Sequence, residues 1–295
     1  MNRHWIAANA AALMLLLTAC GNAAQNGESS PSATAPAVTQ EASASPPGKA
    51  GSPSAEPTPS AKPSASAEPS EPATPAATEK TYKMNKNYFI VPIDKERTEN
   101  KVVLLTFDDG PKAPETLDPL LDTLDKHGAK AIFFVNGYRV KAHPELLKQI
   151  ADRGQIIGNH SWDHIDLKKE KAANVEKQIG DVQAIVKETT GQSPVFFRPP
   201  FGSGGDEVRK VAKENGLLYM TWSNGSLDWA MAKTPEEKRP QAVIDNVLEQ
   251  LHPGSNILMH ELAWTGKALD SLLDQLEAKG YSFVDPNAID TALLP

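Results

Sequence analysis

From about Tyr82 onward, short apolar runs alternate with amphipathic stretches. The strand-like runs are 101–107, 131–135, 155–158, 195–198, 217–222, 256–260 and 281–284, rich in aliphatic and aromatic residues and bounded by turn formers. Between them the apolar positions recur at helical spacing, which predicts helices near 115–127, 144–153, 172–190, 207–215, 240–251 and 267–279. Several of these stop at a glycine, such as Gly191, as a left-handed C-terminal residue requires. Seven strands alternating with six helices argue for an α/β fold, a parallel sheet covered by helices and either open or closed into a barrel.

Before Tyr82 this pattern is absent. Arg3 and His4 precede an apolar run from Trp5 to Thr18, too short for a comfortable membrane span and typical of a targeting segment. It stops at Leu17-Thr18-Ala19-Cys20-Gly21, and Cys20 is the only cysteine of the chain, so a disulfide within one chain is impossible. Residues 21–80 hold eleven of the 24 prolines and no aromatic residue, Ile, Leu or Met. Such a stretch cannot bury enough apolar surface to offset its ordering entropy, and is expected to be a disordered linker. At roughly 5–6 Å × √n it would span on the order of 40 Å, and more if it is polyproline-like. The expected organisation is therefore a signal segment at 1–19, Cys20 and a linker to 80, and one globular domain at 81–295. A formal charge of −7 leaves no basic footprint for nucleic acid.

Candidate chemistry falls where the predicted strands end. Thr106-Phe107-Asp108-Asp109-Gly110-Pro111 closes the first run, and Asn159-His160-Ser161-Trp162-Asp163-His164 follows the third. Taken alone, the first reads equally as a strand-ending turn and the second as two surface histidines. Together, one carboxylate and two imidazoles can bind a divalent metal and leave an open position, while the second carboxylate stays free to take a proton. Arg198, Asp228 and His260 also follow strand runs. In a parallel α/β fold those ends converge on one face, where sites are built. Arg198 beside Asp108 would keep that carboxylate ionised, and Asp228 beside His260 would orient the ring and raise its pKa.

These motifs resemble, in order and over about 101–284, the polysaccharide deacetylases (the NodB-homology carbohydrate esterases). Arg198-Pro199-Pro200-Phe201-Gly202 and the tail from Leu251 to His260 look most like the bacterial peptidoglycan deacetylases. The resemblance implies a distorted (β/α) barrel of about seven parallel strands. It implies a divalent metal, most often Zn²⁺ in that family, on Asp109, His160 and His164. Asp108 would be the catalytic base, held by Arg198, and His260 the acid, oriented by Asp228. Trp229 and Leu258 would line the acetyl-methyl pocket, and Phe201, where the family usually has Tyr, would donate its backbone N–H to the oxyanion. The implied substrate is peptidoglycan or a related N-acetylated glycan, deacetylated on N-acetylglucosamine or N-acetylmuramic acid. Chitin oligomers, O-acetylated polysaccharides and a non-catalytic glycan-binding role are the alternatives. Leu17-Thr18-Ala19-Cys20 resembles a bacterial lipobox, which implies lipidation of Cys20 and an extracytoplasmic, membrane-anchored protein; separately, the pattern of the chain suggests a monomer.

Overall fold

The computed structural model describes residues 78–293. The signal segment, Cys20 and almost all of the linker lie outside them. The chain enters through an antiparallel hairpin, β1 (Tyr82–Met84) and β2 (Ile90–Pro92), which the pattern did not announce. Seven strands then build one parallel wall: β3 (Val102–Gly110), β4 (Ala131–Val135), β5 (Ile156–Asn159), β6 (Phe196–Phe197), β7 (Leu218–Tyr219), β8 (Asn224–Gly225) and β9 (Ser255–His260). Their spatial order is β7-β6-β5-β4-β3-β9-β8, and the wall curls into a half-barrel whose edges are β7 and β8. An eighth parallel strand, β10 (Ser282–Phe283), pairs with Val102 and Val103 at the start of β3.

Helices α1 (Pro114–Lys126), α2 (Gly137–Ala142), α3 (Pro144–Asp152), α4 (Ala172–Thr190), α5 (Asp206–Glu214), α6 (Arg239–Glu249) and α7 (Ala263–Ala278) occupy the crossovers. The first shows how the sequence specifies them. Pro114 fits the opening turn, where its missing N–H costs nothing, and Leu117, Leu120, Leu121 and Leu124 form a buried stripe.

Both faces of the wall are buried, and the side-chain period of two sorts them. Val103, Leu105, Phe107, Phe133, Val135, Ile257 and Met259 pack with the helices. Val102, Leu104, Ile132, Phe134, Phe196, Leu218 and Met220 fill the barrel. Even-numbered positions thus point inward on every one of these strands.

Three expectations shift. The run expected as one strand over 217–222 is split, because residues 220–223 cross from the edge held by β6 to the edge held by β9. There the Thr221 carbonyl accepts from Arg198 and Asn256 side chains instead of from a neighbouring strand. The first strand runs on to Gly110, carrying both aspartates within it. Helix α2 has six residues, too few for a helical period to show, and α7 begins at Ala263 rather than near Lys267.

Gly158 is crowded by the barrel core. A Cβ there would lie 2.5 Å from Phe134 Cδ1 and 3.0 Å from Ile132 Cγ2. Gly158→Ala is expected to cost about 1–3 kcal/mol of unfolding free energy, read from a denaturant melt, since an added methyl in a filled core forces its neighbours off their rotamers.

Candidate active site

At their upper ends the inward columns of the strands carry polar side chains. On β3 the column runs Val102, Leu104, Thr106, Asp108; on β9, Asn256, Leu258, His260; after β5 and β6 it reaches His160 and Arg198. Asp108 and His260 are direct partners in the β3–β9 register. By strict alternation Asp109 would face the helices. A bulge between Asp108 and Gly110, with Asp109 at φ 67°, turns its carboxylate inward instead.

Asp109 Oδ1 then lies 3.1 Å from His164 Nε2 and 3.5 Å from His160 Nε2. Neither contact has hydrogen-bond geometry, so this buried oxygen has no donor among the described residues. His160 Nδ1 donates to the Arg198 carbonyl at 2.7 Å, which leaves Nε2 as the free lone pair on that ring. One ligand atom from each of the three residues falls within 4.8 Å of the others. A carboxylate and two neutral imidazoles gathered in this way fit a divalent metal with an open fourth position. Burial disfavours the charged Asp109, but contact with His160 and His164, when those rings carry a proton, outweighs it and holds its carboxyl far below the usual range.

Arg198 is 0% exposed and joins three parts of the barrel. Its guanidinium donates to Asp108 Oδ1 at 2.7 Å, Thr106 Oγ1 at 2.8 Å, the Thr221 carbonyl at 2.9 Å and Asn256 Oδ1 at 3.2 Å. The Phe134 ring lies 4.4 Å beneath Cζ. Burial pulls the Arg198 pKa down from its very high ordinary value, against the opposing charge of Asp108. Asp108 Oδ1 is thereby committed to Arg198, and Oδ2 remains on the cavity side.

Across the cavity, Asp228 is also fully buried. Its Oδ1 accepts from His260 Nδ1 at 2.7 Å, while Oδ2 accepts the His260 backbone N–H and the Thr265 hydroxyl, both at 2.7 Å. Trp264 Nε1 adds a bond to the Asp228 carbonyl at 3.0 Å. Burial lowers the pKa of His260, but the hydrogen bond to Asp228 and its charge more than reverse this and raise it.

Asp108, Asp109, His160, His164 and His260 line a cavity of about 390 Å³ with Phe201, Gly202, Trp222, Trp229 and Leu258. A larger cavity, about 600 Å³, lies near the other ends of β5 and β6 and holds none of them. Leu258 is buried at the wall, whereas Phe201 is 67% and Trp229 45% exposed at the rim. Phe201 stands edge-on to His164 and Trp229 edge-on to His260. Every site residue expected from the sequence within 78–293 thus borders this cavity or directly orients one that does. Cys20 lies outside the described residues. Sequence reasoning missed Thr106 and Asn256, whose only signal was a polar residue on an inward strand position, Thr265, a buried polar residue in the first turn of α7, and Trp222.

A sequence profile described as polysaccharide deacetylase matches residues 95–220. Over 188 residues the chain is 36% identical to Peptidoglycan-N-acetylmuramic acid deacetylase PdaA of Bacillus subtilis (strain 168), covering 63% of this chain and 70% of that protein. The chain belongs to the polysaccharide deacetylase family. It is also 37% identical over 207 residues to Peptidoglycan-N-acetylglucosamine deacetylase PgdA of Listeria monocytogenes serotype 1/2a (strain 10403S), covering 68% of this chain but only 42% of PgdA. Among solved structures, this polysaccharide deacetylase fold is similar to wild-type BA3943 of Bacillus anthracis, described as a CE4 family pseudoenzyme, with TM-score 0.59 and 32% identity over 67% of this chain and 66% of that one.

Removing the guanidinium while keeping Asp108 would leave a buried, uncompensated carboxylate. Arg198→Met is expected to cost about 3–5 kcal/mol in equilibrium unfolding at neutral pH, and Arg198→Met/Asp108→Leu to recover part of that loss.

Proposed function

We propose that this polysaccharide deacetylase hydrolyses N-acetyl groups on cell-wall amino sugars, with peptidoglycan as substrate, and that the reaction needs a divalent metal. The relatives named above as peptidoglycan deacetylases support the substrate class. The observation that carries the chemistry is the opposition of Asp108 and His260 on paired strands, with Asp109, His160 and His164 beside them in one cavity. Zn²⁺ suits two imidazoles and a carboxylate; when bound, it would polarise the acetyl carbonyl and acidify water.

The protein's own groups divide the remaining work. Asp108 Oδ2 takes the proton of the attacking water, while Arg198 fixes Oδ1 and the aim of the carboxylate. The backbone N–H of Phe201 serves as a donor to the oxyanion, an interaction worth ~3 kcal/mol where it operates. His260, its Nδ1 bound to Asp228, protonates the leaving sugar nitrogen from Nε2, since an amine anion is too basic to leave unaided. Leu258 and Trp229 enclose the methyl group. Acetate and a free amino sugar are the products.

A pseudoenzyme among the structural relatives shows that the fold alone does not secure turnover. Here the carboxylates, imidazoles and guanidinium expected of an active site are all assembled, which favours catalysis over glycan binding alone. We also propose that Cys20 is lipidated, which would place the domain outside the membrane within reach of wall glycan. The support is the Leu17-Thr18-Ala19-Cys20 pattern, and a labelled fatty acid should be incorporated by the natural chain and not by Cys20→Ser.

Acetate release should be compared on peptidoglycan, chitin oligomers and acetylated xylan; release from xylan but not from peptidoglycan would refute the proposed substrate. Asp108→Asn is expected to lower kcat by about 10²–10⁴-fold, and unchanged turnover would remove Asp108 as the base. His260 must be protonated to act as an acid, so kcat should fall as pH rises through its raised pKa. Asp228→Asn removes the charge that raises it, and the alkaline limb of the profile should move to lower pH.

A further inference from the structure

Glu261 follows the proposed acid His260 in sequence, does not line the substrate cavity, and is 1% exposed. Its Oε1 accepts the backbone N–H of Lys112 at 2.9 Å, that of Ala113 at 3.3 Å and the Thr116 hydroxyl at 2.7 Å. These groups form the turn between the two aspartates and α1, and Ala113, at the N-cap of that helix, supplies no side-chain cap of its own. The cap comes instead from a carboxylate at the far end of β9. Its Oε2 has no partner among the described residues and sits 2.6 Å from where a Gly110 Cβ would lie. Glu261 is therefore packed directly on the residue after Asp109. Burial raises its pKa, a cost that a helix cap alone would not demand, because a serine or aspartate at position 113 would cap more cheaply.

The turn it holds is strained. Asp109 keeps a left-handed backbone without being glycine, a conformation that persists only where its surroundings over-determine it. From one side the Asn136 N–H binds the Gly110 carbonyl at 3.0 Å. From the other, Glu261 grips the next two peptide groups. We propose that Glu261 is a positioning residue for the metal centre: by clamping residues 110–113 it keeps the Asp109 carboxylate turned toward His160 and His164, and fixes that turn to the strand end bearing His260. The inference rests on the metal-assisted reading above. It assigns Glu261 no contact with substrate.

The test is cobalt binding to the metal-free full-length chain, followed by calorimetry and by the visible absorption of Co²⁺, which reports ligand geometry independently of turnover. Glu261→Leu should weaken Co²⁺ binding by about tenfold or more and alter the absorption band, as losing an outer-shell support does elsewhere. Glu261→Gln retains the acceptor oxygen and should stay within about threefold of the natural chain. Thr116→Val, which deletes one of the three donors and leaves the folded core intact, should fall between them. A folded Glu261→Leu with natural affinity and spectrum overturns the inference, as does Glu261→Gln weakened as severely as Glu261→Leu. If Glu261→Leu does not fold, Thr116→Val decides, and natural affinity with an unchanged spectrum in that variant overturns the inference. A natural chain that binds no Co²⁺ sinks the metal reading and this inference together, whereas binding that is equal in all variants sinks this inference alone.

Discussion

The buried guanidinium of Arg198 is the interaction on which the rest of the structure depends. A cation with no solvent exposure is tolerated only with its charge matched and most of its donors used, and on Arg198 only Nε lacks a partner among the described residues. Asp108 supplies the charge, and Thr106, Asn256 and the Thr221 carbonyl take other donors. These partners sit on β3, on β9 and in the crossing segment 220–223, so one side chain ties the end of β6 to the centre of the wall and to the chain that passes from β7 to β8. That side chain also sets the orientation of the proposed base. Stability and the proposed chemistry therefore draw on the same contact.

That sharing carries a chemical tension. A carboxylate held by Arg stays ionised but becomes a weaker base. The geometry moderates the conflict by dividing the two oxygens: Oδ1 is spent on Arg198, while Oδ2 lies 3.6 Å from His160 Nε2 and faces the cavity. The opposite wall uses the same economy. Asp228 spends one oxygen on His260 Nδ1 and the other on the His260 backbone and Thr265, so its carboxylate is fixed against the imidazole and kept from solvent. Each active group has one side locked by the scaffold and one side free.

Much of this was legible in the sequence. The seven apolar runs correspond to strands, although the run over 217–222 belongs to one edge strand and a crossing, with β8 beyond it. Period-two alternation places Asp108, Leu258, His260 and Arg198 inside, because each falls on the even face that also carries Leu104, Phe134 and Phe196. Alternation gives the wrong face for Asp109, since a bulge is a backbone event with no side-chain pattern of its own; only the adjacent Gly110-Pro111 hinted at irregularity. Glu261 was invisible for a different reason. Two of its three partners are backbone N–H groups nearly 150 positions earlier, and no residue type announces a backbone donor.

Backbone strain follows the same logic. Among the described residues, six non-glycine residues adopt positive φ: Tyr88, Asp109, Ser161, His164, Phe201 and Leu227. All but Tyr88 belong to, or immediately adjoin, groups assigned to the site. Such conformations cost of order 1–3 kcal/mol each and do not survive unless packing and hydrogen bonds enforce them. Here the enforcement can be named: Asn159 Oδ1 holds the Ser161 N–H, Asn136 Nδ2 holds the His160 carbonyl, and Ser226 Oγ accepts from the Asp228 N–H. A regular strand end would project Asp108 and Asp109 to opposite faces and would hold His160 and His164 on one face but about 13 Å apart, so neither pair could meet at one point. The strained turns are thus the means by which a sheet with a period of two delivers neighbouring residues to the same cavity, and the buried polar network beneath them is what makes that arrangement stable.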